Sequence, residues 1–298
     1  MRAINLASKL NNLNYEVEII SSQFYHQKKI HRESIFNKQN VDKNEVKETL
    51  IWSPGYYKNI GLMRFIDHFI LSINLFRYLF FRAFKEKPNI FFIGYPPVDW
   101  ASSAILIGKI FSIKTILEVK DLWPDLFYEY SESKLFSKIV KLLFTPYRYL
   151  AKFCANYADA ITAPTLEMAN YFYNNYGIKS KKIKPKIIFY SPLVPPSSNQ
   201  ITSYKKDLDI YKSNYIKILF IGSLMSIYDF RIISNALKEL NNDKVYFTVI
   251  GDGGSSLYIK SLFKNVINVE FLGWLEYKEI LNLVNEFDIA IAPYKNLT

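Results

Sequence analysis

The chain is poor in the residues that form disulfides and metal centres. Its 298 residues include one cysteine, Cys154, which excludes an internal disulfide and is typical of a protein in a reducing compartment. The histidines, His26, His31 and His68, follow no metal-ligand spacing. The sequence also lacks a Walker loop and a Gly-x-Ser-x-Gly elbow. We therefore expect neither a metal centre nor a disulfide framework.

Long uncharged apolar runs and a signal-peptide pattern are also missing. No such run reaches the ~20 residues that a transmembrane helix needs, and residues 1–13 begin directly with an amphipathic helical pattern. Half of the residues are nonetheless apolar and 17% are aromatic, so the chain is expected to fold. Its length suits two domains of ~100–200 residues each. We expect a cytoplasmic protein.

Acidic residues are scarce in the first two thirds of the chain. Residues 1–200 carry 27 Lys and Arg against 16 Asp and Glu, and residues 201–298 carry 11 of each, so the whole net charge of +11 lies in residues 1–200. This excess favours an anionic membrane surface or nucleic acid as partner, with a lysine-rich solvated surface as the alternative. No motif of a nucleic-acid binder accompanies the charge, so nucleic acid is not expected.

From Tyr215 onward, short apolar runs alternate with helical patterns. The runs occupy residues 216–221, 245–250, 266–272 and 289–292, and each stops at glycine or proline. Runs of β-branched and aromatic residues that end in this way predict buried parallel strands, joined by crossover helices. In such a sheet a ligand lies at the carboxyl ends of the strands. The residues at those ends are Gly222, Gly251 to Gly254, Gly273 and Pro293.

Residues 62–84 form a long helical pattern. Its apolar residues at helical spacing are Phe65, Ile66, Phe69, Ile70, Ile73, Phe76, Leu79 and Phe80. Charged residues within it argue against a bilayer span. We expect a helix packed on a sheet, with a helix lying in a membrane interface as the alternative. No ligand or catalytic role is expected for His68 on this helix.

A second basic helix is predicted over residues 134–153. Its cations share one stripe: Lys134, Lys138, Lys141, Arg148 and Lys152. Pro146 is expected to kink or interrupt it. A stripe of this kind fits an anionic membrane surface, and a solvated charged face is the alternative.

The densest polar cluster at a strand end in the first part of the chain is Lys120-Asp121-Leu122-Trp123-Pro124-Asp125, which follows a predicted strand at 115–119. Its position predicts a ligand-facing site. The alternative is an Asp that caps the next helix, with Trp123 in the core. Residues 25–50 are polar and predict a loop or lid.

Four segments in the last part of the chain, in order, resemble the donor domain of glycosyltransferase family 4. They are Phe220-Ile221-Gly222-Ser223-Leu224, Val249-Ile250-Gly251-Asp252-Gly253, Val269-Glu270-Phe271-Leu272-Gly273-Trp274-Leu275 and Asp288-Ile289-Ala290-Ile291-Ala292-Pro293. The 120–125 cluster and the Tyr95-Pro96-Pro97 turn resemble the branch of that family that builds bacterial surface polysaccharides.

The resemblance implies an α/β protein of GT-B fold, with two Rossmann-like domains that contain parallel sheets, the second incomplete. The implied bounds are 1–190 for the acceptor-side domain, 191–214 for a linker and 215–298 for the nucleotide-sugar domain. The implied activity is retaining transfer of a hexose or N-acetylaminosugar from a nucleotide-diphosphate sugar to a lipid-linked saccharide. The products would be capsule, lipopolysaccharide O-antigen or exopolysaccharide. The enzyme would need no cofactor or metal and would lie peripherally on the inner face of the cytoplasmic membrane.

The resemblance also assigns residues to the two sides of the site. Asp121 would be the catalytic residue nearest the reacting centre, and Lys120, Trp123, Asp125 and Tyr95 would lie on the acceptor side. The donor would bind to Gly222, Ser223, Gly251, Asp252, Gly253, Leu272, Gly273 and Trp274, the first five at the diphosphate and the last three at the base.

The chain departs from the family pattern in two places. The family often has an arginine after the glycine that matches Gly222 and a lysine shortly after it, where this chain has Ser223 and Tyr228-Asp229. The chain also ends at Thr298, before the family's Glu-x7-Glu segment, and the first strand with its glycine-rich loop is missing. We therefore expect a sequence cut at both ends that transfers little sugar. The second hypothesis is an inactive remnant or a membrane-surface binding protein that keeps only the fold.

Overall fold

The computed structural model describes residues 2–26, 28–32, 46–57, 61–125, 141–142, 144–177, 185–188, 215–240 and 244–295. The chain divides into two compact units, Met1–Leu193 and Val194–Thr298. Each unit contains its own four-stranded sheet and its own hydrophobic core. The predicted linker at 191–214 lies outside the described residues.

The first unit begins with a helix and then alternates strands and helices. Its elements are α1 (Arg2–Asn12), β1 (Glu18–Ser22), β2 (Phe24–Tyr25), β3 (Ile30–His31), β4 (Lys47–Ile51), α2 (Leu62–Lys85), β5 (Ile90–Tyr95), α3 (Val98–Ile110), β6 (Lys114–Val119), α4 (Thr145–Tyr157), β7 (Ala160–Ala163), α5 (Leu166–Tyr176) and β8 (Lys186–Ile187). Strands β5, β6, β7 and β8 form a parallel sheet in that order. Strands β1 and β4 form a separate parallel pair, and β2 and β3 pair antiparallel.

Part of the predicted loop at residues 25–50 is structured, so that prediction is wrong in part. Strand β4 pairs with β1 over five residues, and the carboxylate of Glu18 accepts hydrogen bonds from Thr49 and Tyr78. The strand is half polar, so a search for apolar runs does not find it. Residues 33–45 lie outside the described part of the chain.

Helix α2 packs through a face that its apolar spacing alone does not single out. Its buried residues are Asp67, His68, Leu71, Ser72, Leu75, Leu79 and Ala83. Two of the buried polar side chains have hydrogen-bond partners: Ser72 Oγ donates to the carbonyl oxygen of Asp99 at 2.9 Å, and Asp67 accepts from the Gly55 amide at 2.6 Å. Because most sides of the helix are apolar, periodicity does not identify the inward one. Of the apolar residues at helical spacing named in the sequence analysis, only Leu79 is fully buried.

Two other helices begin at residues that suit a helix start. Thr165 caps α5, since its hydroxyl oxygen accepts a hydrogen bond from the Met168 amide at 3.2 Å. Pro146 lies in the first turn of α4 rather than in the middle of a longer helix. Proline is tolerated there because the amide that it lacks has no partner within the helix. Lys134 and Lys138 of the predicted basic stripe lie outside the described residues.

The second unit follows the predicted alternation closely. Its elements are β9 (Ile216–Ile221), α6 (Phe230–Leu240), β10 (Val245–Ile250), α7 (Ser256–Leu262), β11 (Val269–Gly273), α8 (Tyr277–Leu283), a 3₁₀ turn (Val284–Glu286) and β12 (Ile289–Ala290). The strands are all parallel, in the order β11-β10-β9-β12. Phe220, Phe230, Phe247 and Phe263 form the centre of the core on one face of this sheet.

None of the helices that the structure describes combines the length and the apolar composition needed to cross a bilayer.

Candidate functional site

The glycine turns of the second unit lie together at one edge of its sheet. Gly222 follows β9, Gly251 follows β10 and Gly273 ends β11, and these three strands are adjacent and parallel. Backbone hydrogen bonds extend the ladder past the strands, from the Gly222 amide to Ile250 O at 3.0 Å and from the Gly251 amide to Gly273 O at 2.7 Å. The predicted placement of these glycines at neighbouring carboxyl ends is therefore confirmed.

Two of these turns are packed backbone against backbone. Gly251 has φ of +136°, and a Cβ atom there would lie 1.9 Å from the carbonyl oxygen of Gly222. A Cβ atom on Gly253 would lie 2.5 Å from the carbonyl oxygen of Leu224. The Leu224 amide donates to Asp252 O at 3.1 Å, and its own carbonyl accepts from the Ser255 amide at 2.9 Å. A main-chain surface without side chains is what a diphosphate group can approach closely.

The predicted donor residues with side chains differ in exposure. Ser223 and Asp252 are exposed at the strand ends. The Asp252 carboxylate accepts from the Gly253 amide at 2.8 Å, and this hydrogen bond lowers its pKa. Trp274 is 63% exposed beside Gly273, while Leu272 packs against a small cluster around Leu219 and Leu283. An exposed indole next to a bare glycine provides a flat surface on which an aromatic base can stack.

A cavity of about 260 Å³ opens beside these turns, within the second unit. Its lining includes Asp229, Arg231, Ser255, Tyr258 and Lys295. Arg231 donates to both carboxylate oxygens of Asp229, at 2.9 and 2.8 Å, and this pairing lowers the pKa of Asp229. The sequence analysis did not predict Arg231 or Lys295 as site residues. Neither follows a glycine at the position where the family pattern has its cations, so only the folded chain brings them to the cavity.

In the first unit, Lys120 and Asp121 lie at the carboxyl end of β6. Lys120 Nζ lies 3.1 Å from Glu118 Oε2. The Asp121 carboxylate is half-buried and accepts from the Leu122 amide at 2.9 Å. Burial raises the pKa of Asp121, and the Leu122 amide and the Arg64 guanidinium oppose that rise. Asp121 therefore combines solvent access with a more basic carboxylate than usual, as proton transfer to or from a substrate requires.

The other three predicted acceptor-side residues are buried. Tyr95 is 0% exposed and donates to Trp123 O at 2.5 Å. Trp123 is 5% exposed, which agrees with the alternative in which its indole belongs to the core. Asp125 is 3% exposed; it pairs with Arg148 at 3.1 Å and accepts from the Tyr171 hydroxyl at 3.1 Å. These contacts hold the loop that presents Asp121.

Helix α2 and the segment before it supply residues that the sequence analysis did not assign to the site. The Arg64 guanidinium lies 4.7 Å from the centre of the Trp123 ring and 5.7 Å from that of Tyr56. Lys29 Nζ lies 4.3 Å from the Tyr56 ring. The His68 ring lies 5.9 Å from that of Trp123, and burial together with Arg64 lowers its pKa to about 4. The sequence feature that could have identified them is the pair Arg64 and His68 on successive turns at the start of the helix. Helical periodicity alone does not distinguish such a pair from residues that only pack.

Comparisons with known proteins agree with this fold. No protein-family model matches the chain. A curated relative from Klebsiella pneumoniae, an uncharacterized 41.2 kDa protein in the cps region, is 25% identical over 154 residues, or 49% of this chain and 39% of the relative. The matched part therefore spans well under half of that relative.

Several solved structures resemble the chain over most of its length. Anabaena HepE in complex with UDP-glucose gives a TM-score of 0.55 at 13% identity, covering 92% of this chain and 72% of HepE. The lipopolysaccharide outer core galactosyltransferase WaaB gives a TM-score of 0.50 at 11% identity, covering 92% of this chain and 72% of WaaB. Arabidopsis thaliana UGT89C1 in complex with UDP-L-rhamnose gives a TM-score of 0.50 at 11% identity, covering 97% of this chain and 75% of UGT89C1. The predicted α/β, GT-B fold is confirmed, and membership of family 4 stays a prediction.

Proposed function

We propose that this chain is a retaining glycosyltransferase that moves a hexose or N-acetylaminosugar from a nucleotide-diphosphate sugar to a saccharide on a lipid carrier. Its pathway would be the assembly of a bacterial surface polysaccharide such as capsule, O-antigen or exopolysaccharide. The nucleotide-sugar is a substrate, and the reaction uses no cofactor. The protein works on the inner face of the cytoplasmic membrane.

The observation that carries the proposal is the backbone surface at the carboxyl end of β9 and β10. Gly251 and Gly253 approach the main chain of Gly222 and Leu224 too closely for any side chain. Amides and carbonyls of consecutive turns are thereby gathered at the edge where ligands of open α/β sheets bind. Arg231, which is paired with Asp229, and Lys295 line the adjoining cavity, and together these three side chains leave a net positive charge that Ser223 does not supply. Trp274 and Gly273 then receive the base.

On the acceptor side, Asp121 is the residue that touches the reacting sugar hydroxyl. Its raised pKa suits a group that shares a proton with that hydroxyl. Lys120 and the Arg64 guanidinium, whose charge acts on Asp121, provide positive charge for an anionic carrier. Tyr95, Trp123 and Asp125 position the loop through their buried contacts rather than through substrate.

A second candidate function is a membrane-surface binding protein that retains the fold without transfer. The burial of Tyr95, Trp123 and Asp125 favours it, because these side chains leave few reactive groups at the end of β6. The Klebsiella relative of the cps region is compatible with either function.

A transfer assay separates the two candidates. The protein is incubated with radiolabelled UDP-sugars and GDP-sugars and a lipid-linked acceptor, and the labelled lipid product is counted. We expect a small yield of product with at least one donor and its loss in Asp121→Asn, while donor binding is retained. Donor binding without product from any donor would favour the second candidate, and the absence of both binding and product would refute the proposal.

A further inference from the structure

Helix α2 carries an outward face that is almost entirely apolar. Along its 24 residues, Leu62, Met63, Ile66, Phe69, Ile73, Phe80, Phe81 and Phe84 are all exposed. The fractions reach 75% for Leu62, 62% for Phe69, 66% for Phe81 and 78% for Phe84. At 3.6 residues per turn these positions fall on one side of the helix, opposite Leu71, Leu75 and Leu79 in the core.

The apolar surface continues onto α3. The Phe80 and Phe111 rings lie 5.4 Å apart, and Leu106 and Ile110 on the same part of α3 are 42% and 54% exposed. With about 200 Å² for a phenylalanine side chain, Phe69, Phe81 and Phe84 alone expose about 400 Å². Contiguous apolar patches of this size on a soluble protein mark an interaction surface.

Cations lie within and beside this face. Arg77 is exposed between the turns of Ile73 and Phe80, and Lys85 and Lys87 are exposed where the helix ends. Glu86, the acidic residue among them, is paired with Arg82 at 2.9 Å. Residues 1–200 also hold the entire net charge of +11. Long cationic side chains beside an apolar helix face can reach lipid phosphates while their stems stay among the apolar groups.

The charge pattern selects a lipid surface over a second copy of the chain. A second copy packed on this face would bring the same cations to it, and because Glu86 is already paired with Arg82, it would bury Arg77 without an acidic partner among the described residues of that face. An anionic bilayer surface complements the same cations and covers the apolar side chains at once.

We propose that the outward face of α2, with Leu106 and Ile110 of α3, lies in the headgroup region of an anionic membrane and docks the protein there. The helix lies parallel to the surface, since its opposite face is already packed in the protein core. Phe69, Phe81 and Phe84 enter the boundary of the acyl chains, and Arg77, Lys85 and Lys87 contact lipid phosphates. This face would be the membrane contact of the proposed transferase. Lipid binding is measured without donor or acceptor, so a failure to bind vesicles would not refute the transfer reaction.

Flotation with lipid vesicles tests the proposal. The protein is mixed with vesicles of phosphatidylcholine alone or with 30 mol% phosphatidylglycerol, at about 0.05 and 0.5 M salt. We expect recovery with the anionic vesicles at low salt and much less under the other conditions. Equal recovery on neutral and anionic vesicles, or none on either, would overturn the proposal.

Two sets of variants separate the apolar and charged contributions. Phe69→Ser, Phe81→Ser and Phe84→Ser combined should weaken vesicle binding about a thousandfold, at about tenfold for each phenylalanine. Lys85→Gln with Lys87→Gln should weaken it about 25-fold on anionic vesicles, at about fivefold for each cation. All these residues are exposed, so the variants should keep the circular dichroism and melting temperature of the parent protein.

A matched control comes from the second unit. Leu257 and Ile267 are 88% and 84% exposed there, so Leu257→Ser with Ile267→Ser removes exposed apolar side chains from the other unit. This control should float like the parent protein. A loss equal to that of the phenylalanine variant would show that binding is nonspecific and would overturn the proposal. So would a parent protein that is dimeric without lipid and becomes monomeric in the phenylalanine variant.

Discussion

Single Gly→Ala substitutions at Gly251, Gly254 and Gly273 in the second unit should lower the free energy of unfolding by three very different amounts. A Cβ atom on Gly254 meets nothing within 4 Å, so Gly254→Ala should change the free energy of unfolding by no more than about 0.5 kcal/mol. Gly273 also has open space but a φ of +72°, so Gly273→Ala should cost about 1–2 kcal/mol in backbone strain alone.

Gly251→Ala should be the most damaging of the three. Its φ is +136°, and the new methyl group would lie 1.9 Å from Gly222 O and 2.9 Å from Gly222 C. The ends of β9 and β10 would have to separate, which breaks the hydrogen bond between the Gly222 amide and Ile250 O. Strain of about 1–3 kcal/mol and overpacking of about 1–3 kcal/mol add to roughly 2–6 kcal/mol.

Native-state hydrogen exchange of the β9 and β10 amides measures this series, because it reports the second unit separately from the first. We expect the β9 and β10 amides to be most protected in Gly254→Ala, less protected in Gly273→Ala and least protected in Gly251→Ala. If Gly251→Ala were as protected as Gly254→Ala, the close backbone approach would be wrong, and with it the diphosphate surface built on it.

Three further predictions concern the first unit. Burial raises the pKa of Asp99 to about 6, above its unfolded value of about 3.9, so its contribution to stability is present below pH 4 and is lost as the pH rises through 6. The loss is about 3 kcal/mol, and Asp99→Asn should therefore raise the melting temperature at pH 7.5 while leaving it unchanged at pH 4. Burial lowers the pKa of His68 to about 4, below its unfolded value of about 6.5, so its contribution is present above pH 6.5 and is lost as the pH falls through 4. His68→Gln should therefore reduce, by about 3 kcal/mol, the drop in the free energy of unfolding between pH 6.5 and pH 4, as measured by urea titration. Asp121→Asn should lower the rate of sugar transfer at least a hundredfold without changing the donor dissociation constant, as measured by initial rates and calorimetry.

The second sheet could be predicted almost completely from the sequence. Its strands are runs such as 216–221 and 245–250, where β-branched and aromatic residues occupy nearly every position and a glycine follows. Strands buried on both faces have this pattern, and little else in a soluble protein does. The carboxyl-end position of the glycines then follows from the alternation alone.

The buried side of α2 and the contacts of the 120–125 loop could not be predicted in this way. The helix has apolar residues on nearly every side, so the choice between Phe69 and Leu71 as inward residue depends on what packs against it. Asp125 is buried because Arg148 and Tyr171, 23 and 46 residues away in sequence, meet its carboxylate. Because the sequence does not reveal these partners, the Asp125 carboxylate four residues after Asp121 predicts a contact with substrate. Arg231 reaches its cavity in the same way, through the fold rather than through a motif.

The most direct test of the nucleotide-sugar site is hydrogen exchange with and without UDP and GDP, combined with titration calorimetry. We predict saturable binding of one nucleotide diphosphate and added protection of amides at 222–226 and 251–258. Arg231→Ala should weaken that binding about tenfold. Lys238→Ala, which removes an exposed cation from the same helix but does not line the cavity, should leave it unchanged. Binding that is absent for both nucleotides, or that protects only amides of the first unit, would contradict the account.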